Sequence, residues 1–447
     1  MLLNFKMKNF KSFYNTTELN MFADNNKREY QDRLINVKKG RLKKNVLPAM
    51  VIYGANASGK TTIITAIDTL REIVINGTIK KQINNEDINK LEIAAFIHDV
   101  NKMVEPIEFE ITFKNDLNIY NYILKLRVMN PLIGKDRSII YEALNIITYS
   151  DFGTSVKENK LNLFERTESK VVLNNSEEVL EIYGKNKKYL SELSNIEKSI
   201  NENLDKETLF LTSSFKTIIN LKIADDILNW FQKKLITVVN FDIKKINIKI
   251  NNADDGNFLF RNKSLDKLVE LADFGPQKIV YMKDENEGKF VLRSMYEPEG
   301  LKGKGGIIIN SKDIESKGTT KLIDFWMKFI ESFNKGGIFI IDELDSSIHP
   351  ELIGGIIDLF NNRDINKNNA QLIFNTHNPL FLQKRFFRRD QILFIEKDKD
   401  SYISNVYKLS DFDVKNENNY MKKYFEGQFG ALPFIDFESA IIKKEDK

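Results

Sequence analysis

Four residues in the segment "GANASGKTT" have the types and spacing of a phosphate-binding loop. Gly54, Gly59, Lys60 and Thr61 fit the pattern G-x-x-x-x-G-K-[ST]. In this pattern the glycines let backbone N–H groups surround phosphate, the lysine reaches the β- and γ-phosphates, and the hydroxyl contacts Mg²⁺. The alternative is a chance turn between a strand and a helix. The pattern therefore predicts a nucleotide phosphate as the ligand.

A buried strand and a helix are needed to position this loop. The run "AMVIYG" before it is apolar at successive positions, as in a parallel strand covered on both faces. After the loop, apolar residues recur at helical spacing, which aims a helix N-terminus at the anion. These residues are Ile63, Ile64, Ile67, Leu70 and Val74. This context favours the phosphate site over the chance turn.

Two adjacent acids follow another apolar run, "GIFII". Asp342 at the end of that predicted strand could hold the Mg²⁺ shell, and Glu343 could polarise an attacking water as general base. The alternative is a loop in which the two acids only cap the following helix. Adjacent acids at the end of a buried strand are costly unless they are compensated, which favours a functional pair.

The chain has three histidines, of which His377 has the most informative context. It follows the apolar run "QLIFN", where an imidazole could reach a γ-phosphate and sense its loss. The alternative is a structural residue in the core or at a cap. No role is assigned to His98, and only a structural one to His349.

A second small-residue turn precedes a strongly amphipathic helix. After Ser316, Lys317 and Gly318, apolar residues trace one helix face. They are Leu322, Phe325, Trp326, Phe329, Ile330 and Phe333. A capped helix N-terminus again predicts an anion site. Since the first loop holds a nucleotide from one side, this second site would close over the nucleotide of another subunit.

Composition excludes several classes of protein. The absence of cysteine rules out disulfides, thiolate zinc sites and cysteine nucleophiles. The net charge of +4 does not by itself indicate nucleic-acid binding. The cluster Lys384, Arg385, Arg388 and Arg389 leaves that partner open, with a solvated surface turn as the alternative. We expect a cytoplasmic protein without a membrane partner, because no apolar run approaches the roughly 20 residues that span a bilayer.

The order of the apolar runs predicts an α/β fold assembled from both ends of the chain. "AMVIYG" lies near the start, whereas "GIFIID", "QLIFNT" and "QILFIEK" lie in the last quarter. The segment from Met103 to Met129 alternates like antiparallel strands, and helical spacing extends from about 176 to 238. The predicted parts are a β-rich first lobe at 1–150, an inserted and mainly helical arm at 151–244, and a second lobe at 245–447.

Together, "GANASGKT", "ESKGT", "IIDELD" and "NTHNP" resemble the head of ABC-type ATPases, a P-loop NTPase fold. In more detail the chain resembles the stand-alone, OLD-like and SMC-related AAA/ABC ATPases of bacterial phage-defence and abortive-infection systems. "NFKSF", "ADFGPQKI", "RRDQILFIEK" and "EGQFGALPFID" add to this resemblance. It covers about 1–150 and 245–447. The "ESKGT" segment departs from the Leu-Ser-Gly-Gly type of signature, and no glutamine is assigned to a Q-loop.

The resemblance implies ATP and Mg²⁺ as cofactors, bound at a site shared between subunits. Thr61 and Asp342 would hold the metal, and Lys60, Glu343 and His377 would be catalytic. Residues implied to contact ATP are Gly54, Asn56, Ser58, Gly59, Lys60, Thr61 and Thr62. Ser316, Gly318 and, in the dimer-crossing D-loop, Asp345 would reach the ATP of the partner in a homodimer or a higher oligomer.

Three functions compete at this stage. The first is a regulatory ATPase that controls a separately encoded nuclease or toxin, because the segment after His377 is too short for the TOPRIM domain of OLD-like nucleases. The second is an SMC-like ATPase of DNA repair or recombination that binds DNA directly. The third, a transporter nucleotide-binding domain, is disfavoured because its compact head does not accommodate the long segment between Lys60 and Ser316.

Overall fold

The computed structural model describes most of the chain. The described residues are 1–24, 29–39, 42–80, 93–115, 118–128, 137–152, 155–185, 189–239, 259–261, 263–271, 275–276, 278–283, 290–299, 306–346, 348–413 and 419–432.

Nineteen strands are assigned within these ranges. In chain order they are β1 (Leu2–Lys8), β2 (Thr17–Asn20), β3 (Ile35–Lys39), β4 (Leu42–Val46), β5 (Ala49–Gly54), β6 (Ile107–Asn115), β7 (Asn118–Val128), β8 (Arg137–Phe152), β9 (Ser155–Thr167), β10 (Val171–Leu173), β11 (Leu235–Val238), β12 (Leu259–Arg261), β13 (Lys278–Lys283), β14 (Phe290–Tyr296), β15 (Ile307–Asn310), β16 (Ile338–Ile341), β17 (Gln371–Asn375), β18 (Ile392–Lys397) and β19 (Ser404–Lys408).

Ten α-helices are assigned in the same ranges, with short 3₁₀ turns and two π-helical segments. The α-helices are α1 (Lys60–Asn76), α2 (Val100–Met103), α3 (Glu177–Ile182), α4 (Tyr189–Glu202), α5 (Leu221–Asn229), α6 (Lys263–Leu271), α7 (Ser311–Ile314), α8 (Lys317–Asn334), α9 (Pro350–Asn361) and α10 (Tyr420–Phe425). The π-helical segments are Leu211–Ile219 and Trp230–Lys234.

The central sheet has the order β11-β16-β17-β5-β18-β19. Its first five strands are parallel, and β19 is antiparallel to β18. Strand β5 comes from the start of the chain and lies between β17 and β18 from its last quarter, as the sequence predicts. All positions of β5 and β17 are buried, because both faces of the sheet are covered. The structure confirms the predicted α/β fold.

Successive side chains of β5 point into two different hydrophobic cores. Met50 and Ile52 belong to the core that contains α1, whereas Val51 and Tyr53 belong to the core that contains α8 and α9. This follows from the alternation of side chains along a strand. The strand before the phosphate-binding loop is therefore fixed from both sides.

An antiparallel sheet of seven strands, β10-β9-β8-β7-β6-β1-β2, shares the first core with α1. Its strands β6 and β7 confirm the antiparallel alternation predicted from Met103 to Met129. Gln371 joins this sheet to the central one, because its amide accepts from the N–H of Leu2 at 2.7 Å and donates to the carbonyl of Leu2 at 3.0 Å.

The segment predicted as helical from about 176 to 238 contains several helices up to Lys234, with a non-helical stretch at 203–210, and then forms strand β11. Its last four residues, "LITV", pair in parallel with β16. Their β-branched side chains fit a strand, and β16 offers an edge to pair with. The three-part division at 150/151 and 244/245 stays a prediction, and its second boundary lies outside the described residues.

Candidate functional site

The loop between β5 and α1 borders an open cleft. Gly59 has a φ of 114° and precedes the first residue of α1, Lys60. A Cβ at Gly59 would lie 2.9 Å from the ring of Phe13, and a Cβ at Gly54 would lie 2.5 Å from Ser58 Oγ. Glycine is therefore needed at both positions, for conformation and for space.

Lys60 is held across this loop. Its ammonium donates to the carbonyl oxygens of Gly54 at 2.8 Å and Ala55 at 2.9 Å. Burial lowers the pKa of Lys60 from 10.5 to about 8, and the nearby carboxylates of Glu343, Asp342 and Asp345 oppose this shift. The side chain is a cation at neutral pH, and anionic phosphate would stabilise it.

The predicted metal ligands contact each other directly. Thr61 Oγ1, in the first turn of α1, donates to Asp342 Oδ1 at 2.9 Å. Asp342 follows β16 and is 1% exposed. The side-chain amide of Asn375, at the end of β17, also donates to Asp342 Oδ1. Asp342 is thus oriented by partners from two neighbouring elements, which offsets the cost of burying a carboxylate.

Glu343 directly follows Asp342 but, unlike it, is exposed. Its φ is 50°, which is uncommon for a residue other than glycine and costs on the order of 1–3 kcal/mol. The side-chain oxygen Oδ1 of Asn375 accepts a hydrogen bond from the backbone N–H of Glu343, which holds this turn. As a result, Asp342 stays buried while the exposed Glu343 lines the cleft.

His377 is exposed in the same cleft, two residues after β17. Burial lowers its pKa below the usual 6.5, and the cation of Lys60 adds to this effect. The imidazole is therefore neutral at neutral pH. Next to it, Thr376 Oγ1 donates to Asp345 Oδ2 at 2.7 Å, so Asp345 contacts its own chain.

Lys60, Thr61, Glu343 and His377 line one open cleft of about 700 Å³. The lining residues are Lys11, Ser12, Asn56, Ala57, Gly59, Lys60, Thr61, Thr62, Ala94, Ala95, Ile97, His98, Glu343, His377 and Lys397. The structure thus brings together most of the residues predicted for ATP and Mg²⁺. Ser58, within the loop, does not line the cleft, and its Oγ is buried without a hydrogen-bond partner.

Several residues of this cleft were not found from the sequence. Lys11 and Ser12 come from the segment after β1, and Lys397 from the end of β18. His98, which received no role, enters the cleft and stacks on Tyr402, with ring centroids 4.6 Å apart. The "NFKSF" segment was noted only as a point of resemblance. No local periodicity could place these residues here, because they come from separate elements.

Ser316 and Gly318 do not line this cleft. Ser316 caps α8, and its Oγ accepts the backbone N–H of Thr319 at 3.0 Å. The predicted helix and its cap are confirmed. The structure places them apart from the phosphate-binding loop of the same chain, which leaves their contact with a partner's ATP a prediction.

The basic cluster before β18 is largely neutralised within the chain. Arg388 is fully buried and forms two hydrogen bonds of 2.8 Å with Asp390. Arg389 pairs with Glu29, and Arg385 lies 3.2 Å from Glu351. These contacts favour the structural interpretation of the cluster over nucleic-acid binding.

The residues present fit Mg²⁺ with a nucleotide phosphate. The described residues contain no group of three or more His, Asp or Glu that could hold a metal by themselves. Mg²⁺ commonly takes only one or two protein oxygens, with phosphate and water as its other ligands. The Thr61 hydroxyl and the Asp342 carboxylate are such a pair, and the free Oγ of Ser58 offers a donor inside the loop.

Comparison with known proteins assigns the family. Residues 49–383 match the family described as "AAA domain, putative AbiEii toxin, Type IV TA system". Because this match covers more than half of the chain, the chain belongs to that AAA family. No curated protein matches the sequence.

Among solved structures, the SMC head domain from Thermotoga maritima is similar at 12% identity and a TM-score of 0.39. The similarity covers 91% of this chain and 98% of that one. Because the identity and the TM-score are both low, the fold assignment depends on strand order, loop geometry and family membership. No helix in the described ranges is long and apolar enough to cross a membrane.

Proposed function

We propose that the chain is a cytoplasmic ATPase that binds ATP with Mg²⁺ and hydrolyses it. One observation carries this proposal. Thr61, which donates to the buried Asp342 at 2.9 Å, lines one cleft together with Lys60, Glu343 and His377. Phosphate binding, metal binding and water activation each need one of these groups, and the fold assembles all of them in one place.

Each side chain has a role that follows from its position. The Lys60 ammonium and the backbone N–H groups around Gly59 bind the phosphates. Thr61 and Asp342 hold Mg²⁺, which neutralises charge developing on the phosphate oxygens. Glu343 accepts a proton from the attacking water. His377, neutral and exposed, donates its ring N–H to the terminal phosphate and so distinguishes ATP from ADP.

The proposal includes a homodimer with shared ATP sites. Ser316 lies at the N-terminus of an 18-residue helix, where backbone N–H groups favour an anion. It is exposed and lies outside the cleft of its own chain. A second copy could therefore bring Ser316 and Gly318 over the phosphates. Asp345 would adjoin the partner through the loop that it shares with Glu343.

In the cell, the ATPase would regulate a separately encoded nuclease or toxin in abortive infection. The family description, which names a toxin and a toxin–antitoxin system, supports this setting. The alternative of an SMC-like ATPase that binds DNA directly loses support because Arg388 and Arg389 are paired within the chain.

ATP turnover by two variants tests the proposed chemistry. Lys60→Ala should abolish nucleotide binding, because it removes the cation that contacts the phosphates. Glu343→Gln should keep binding and slow hydrolysis by about 10²- to 10⁴-fold, the usual effect of losing a general base. Titration with a fluorescent nucleotide measures binding, and phosphate release measures hydrolysis, so the two assays distinguish the two effects. Equal loss of affinity in both variants would contradict these roles.

Partner binding tests the regulatory part of the proposal. A switch requires different partner affinities in the two nucleotide states, and a hundredfold difference corresponds to about 2.7 kcal/mol. Glu343→Gln, trapped with ATP, should therefore retain a different amount of the product of a neighbouring gene than the wild type does. The purified chain alone should neither cut nor unwind DNA. Metal-dependent nuclease activity that is lost with this chain's own mutations would contradict the proposal.

A further inference from the structure

Helix α1 contacts strand β11 through side chains on one of its faces. Thr237 Oγ1 donates to Asp68 Oδ1, a contact between the middle of the helix and the strand. Arg71, one turn further along, donates through Nε to the carbonyls of Phe231 at 3.1 Å and Leu235 at 3.0 Å. The helix therefore holds both the start and the middle of β11.

Strand β11 in turn contacts Asp342, the residue that follows β16. The two strands are parallel, with Thr237 opposite Ile340 and Val238 opposite Ile341. The backbone N–H of Asp342 donates to the carbonyl of Val238 at 2.9 Å. Thr237, which contacts α1, and Val238, which contacts Asp342, are therefore adjacent residues of β11.

Helix α1 and the β11/β16 strand pair are also in contact at the proposed metal site. Thr61 and Asp68 are seven residues apart on α1, which places them on the same helix face, two turns apart. Thr61 contacts Asp342 at 2.9 Å, while Asp68 contacts the strand beside Asp342. Two links about 10 Å apart along the helix therefore join α1 to the β11/β16 pair.

We infer that Asp68 and Thr237, assisted by Arg71, are positioning residues for Mg²⁺. This inference rests on the proposed function. Mg²⁺ needs near-ideal octahedral geometry at 2.0–2.1 Å, so small shifts between its two protein ligands weaken binding. The Asp68–Thr237 contact keeps α1 from sliding or tilting against the strand that carries Asp342. Nucleotide binding without metal uses only the phosphate-binding loop. The Asp68–Thr237 contact involves no residue of that loop.

Removing the Thr237 hydroxyl is the most direct test. Thr237→Val keeps the β-branched shape that suits a strand and removes the donor. The full chain is titrated with a fluorescent ADP in EDTA, and the protein–ADP complex is then titrated with Mg²⁺. We expect metal-free ADP affinity to stay within about twofold of the wild type. The Mg²⁺ affinity should fall by about tenfold, equivalent to about 1.4 kcal/mol.

Two matched controls accompany this variant. Thr237→Ser retains a hydroxyl and should restore Mg²⁺ affinity. Thr217→Val makes the same change in the π-helical segment, where the hydroxyl donates only to the carbonyl of Ser213 at 3.0 Å. It should leave both affinities unchanged. A loss in Thr217→Val as large as that in Thr237→Val would overturn the inference, because it would reflect general loosening of the segment.

A double-mutant cycle tests the link from its other end. Asp68→Ala places a good helix former at a partly exposed position of α1, so this variant should fold. It therefore still tests the link if Thr237→Val fails to fold. It should show the same loss of Mg²⁺ affinity, and the double variant should lose no more than either single one. Additive losses would overturn the inference.

The wild type separates failure of the inference from failure of the proposed function. If the wild-type chain binds no ADP, or if Mg²⁺ does not bind to the complex, the proposed function fails. If the wild type binds both ligands and the Asp68 and Thr237 variants have unchanged Mg²⁺ affinity, only the positioning role fails.

Discussion

At the scale of single residues, Lys60 has the most unusual environment in the cleft. It is 6% exposed and donates to two loop carbonyls. Desolvation brings its pKa to about 8, even though three carboxylates lie nearby. A group that can change charge so close to neutral pH makes phosphate binding sensitive to pH.

Nucleotide affinity should therefore fall as the pH rises above 8. The depressed pKa means that the ammonium in the free protein is lost as the pH passes through about 8, whereas phosphate anions bind the charged form. Above that pH, binding must take up a proton, and affinity should drop by up to about tenfold per pH unit. Calorimetry at pH 9 in buffers of different ionisation enthalpy should show uptake of close to one proton.

The control for this pH dependence is Lys60→Met, which removes the titrating group. Like Lys60→Ala, this variant should lose nucleotide binding, and any residual binding should take up no proton at pH 9. Wild-type affinity that is constant between pH 7 and pH 9.5 would contradict the role of Lys60 as a cation with a depressed pKa.

At the scale of elements, a buried ion pair fixes the connection between the seven-stranded sheet and α1. Glu142 on β8 and Arg166 on β9 are both 0% exposed and lie 3.6 Å apart. Glu142 also accepts the backbone N–H groups of Phe210 at 2.7 Å and Leu211 at 2.9 Å. The same segment pairs with the end of α1, since Leu209 donates to the carbonyl of Gly77 at 2.9 Å.

Glu142→Ala should destabilise the protein strongly. It leaves the Arg166 charge and two backbone donors buried without their partner, which costs about 3–5 kcal/mol for a buried ion pair. Glu108→Ala is the matched control on the same sheet, since its partly exposed pair with Lys125 at 2.8 Å contributes less than about 1 kcal/mol. Urea unfolding followed by circular dichroism measures both. Similar midpoints for the two variants would contradict a special role for the buried pair.

At the scale of the whole molecule, the proposed dimer implies that one chain alone supplies only part of each ATP site. The phosphate-binding loop, Glu343 and His377 line one cleft, whereas Ser316 and Gly318 do not line it. A two-fold dimer would place each helix cap of one chain over the loop of the other.

Mixing two inactive variants tests this arrangement. Lys60→Ala disables the loop, and Ser316→Arg blocks the cap, so a heterodimer of the two keeps one intact site. After subunit exchange in an equal mixture, about a quarter of the wild-type ATPase activity should return if the sites act independently. No recovery in mixtures proven to exchange subunits would count against the shared site.

Local sequence determined the parts of this protein that depend on near neighbours. The glycines and lysine of "GANASGKT", the apolar run before Asp342 and Glu343, and the spacing after Ser316 each predicted an element that the structure contains. Turn chemistry and hydrophobic period act over a few residues, so they can be seen in a single segment.

Only the tertiary structure decided which distant side chains meet. Thr61 and Asp342 are 281 positions apart, and Asn375 binds Asp342 from a third segment. Strand β11 leaves the helical pattern because β16 offers it an edge, and His98 enters the cleft because it stacks on Tyr402. These contacts arise from the packing of separate elements around shared cores, and no local periodicity encodes such pairings.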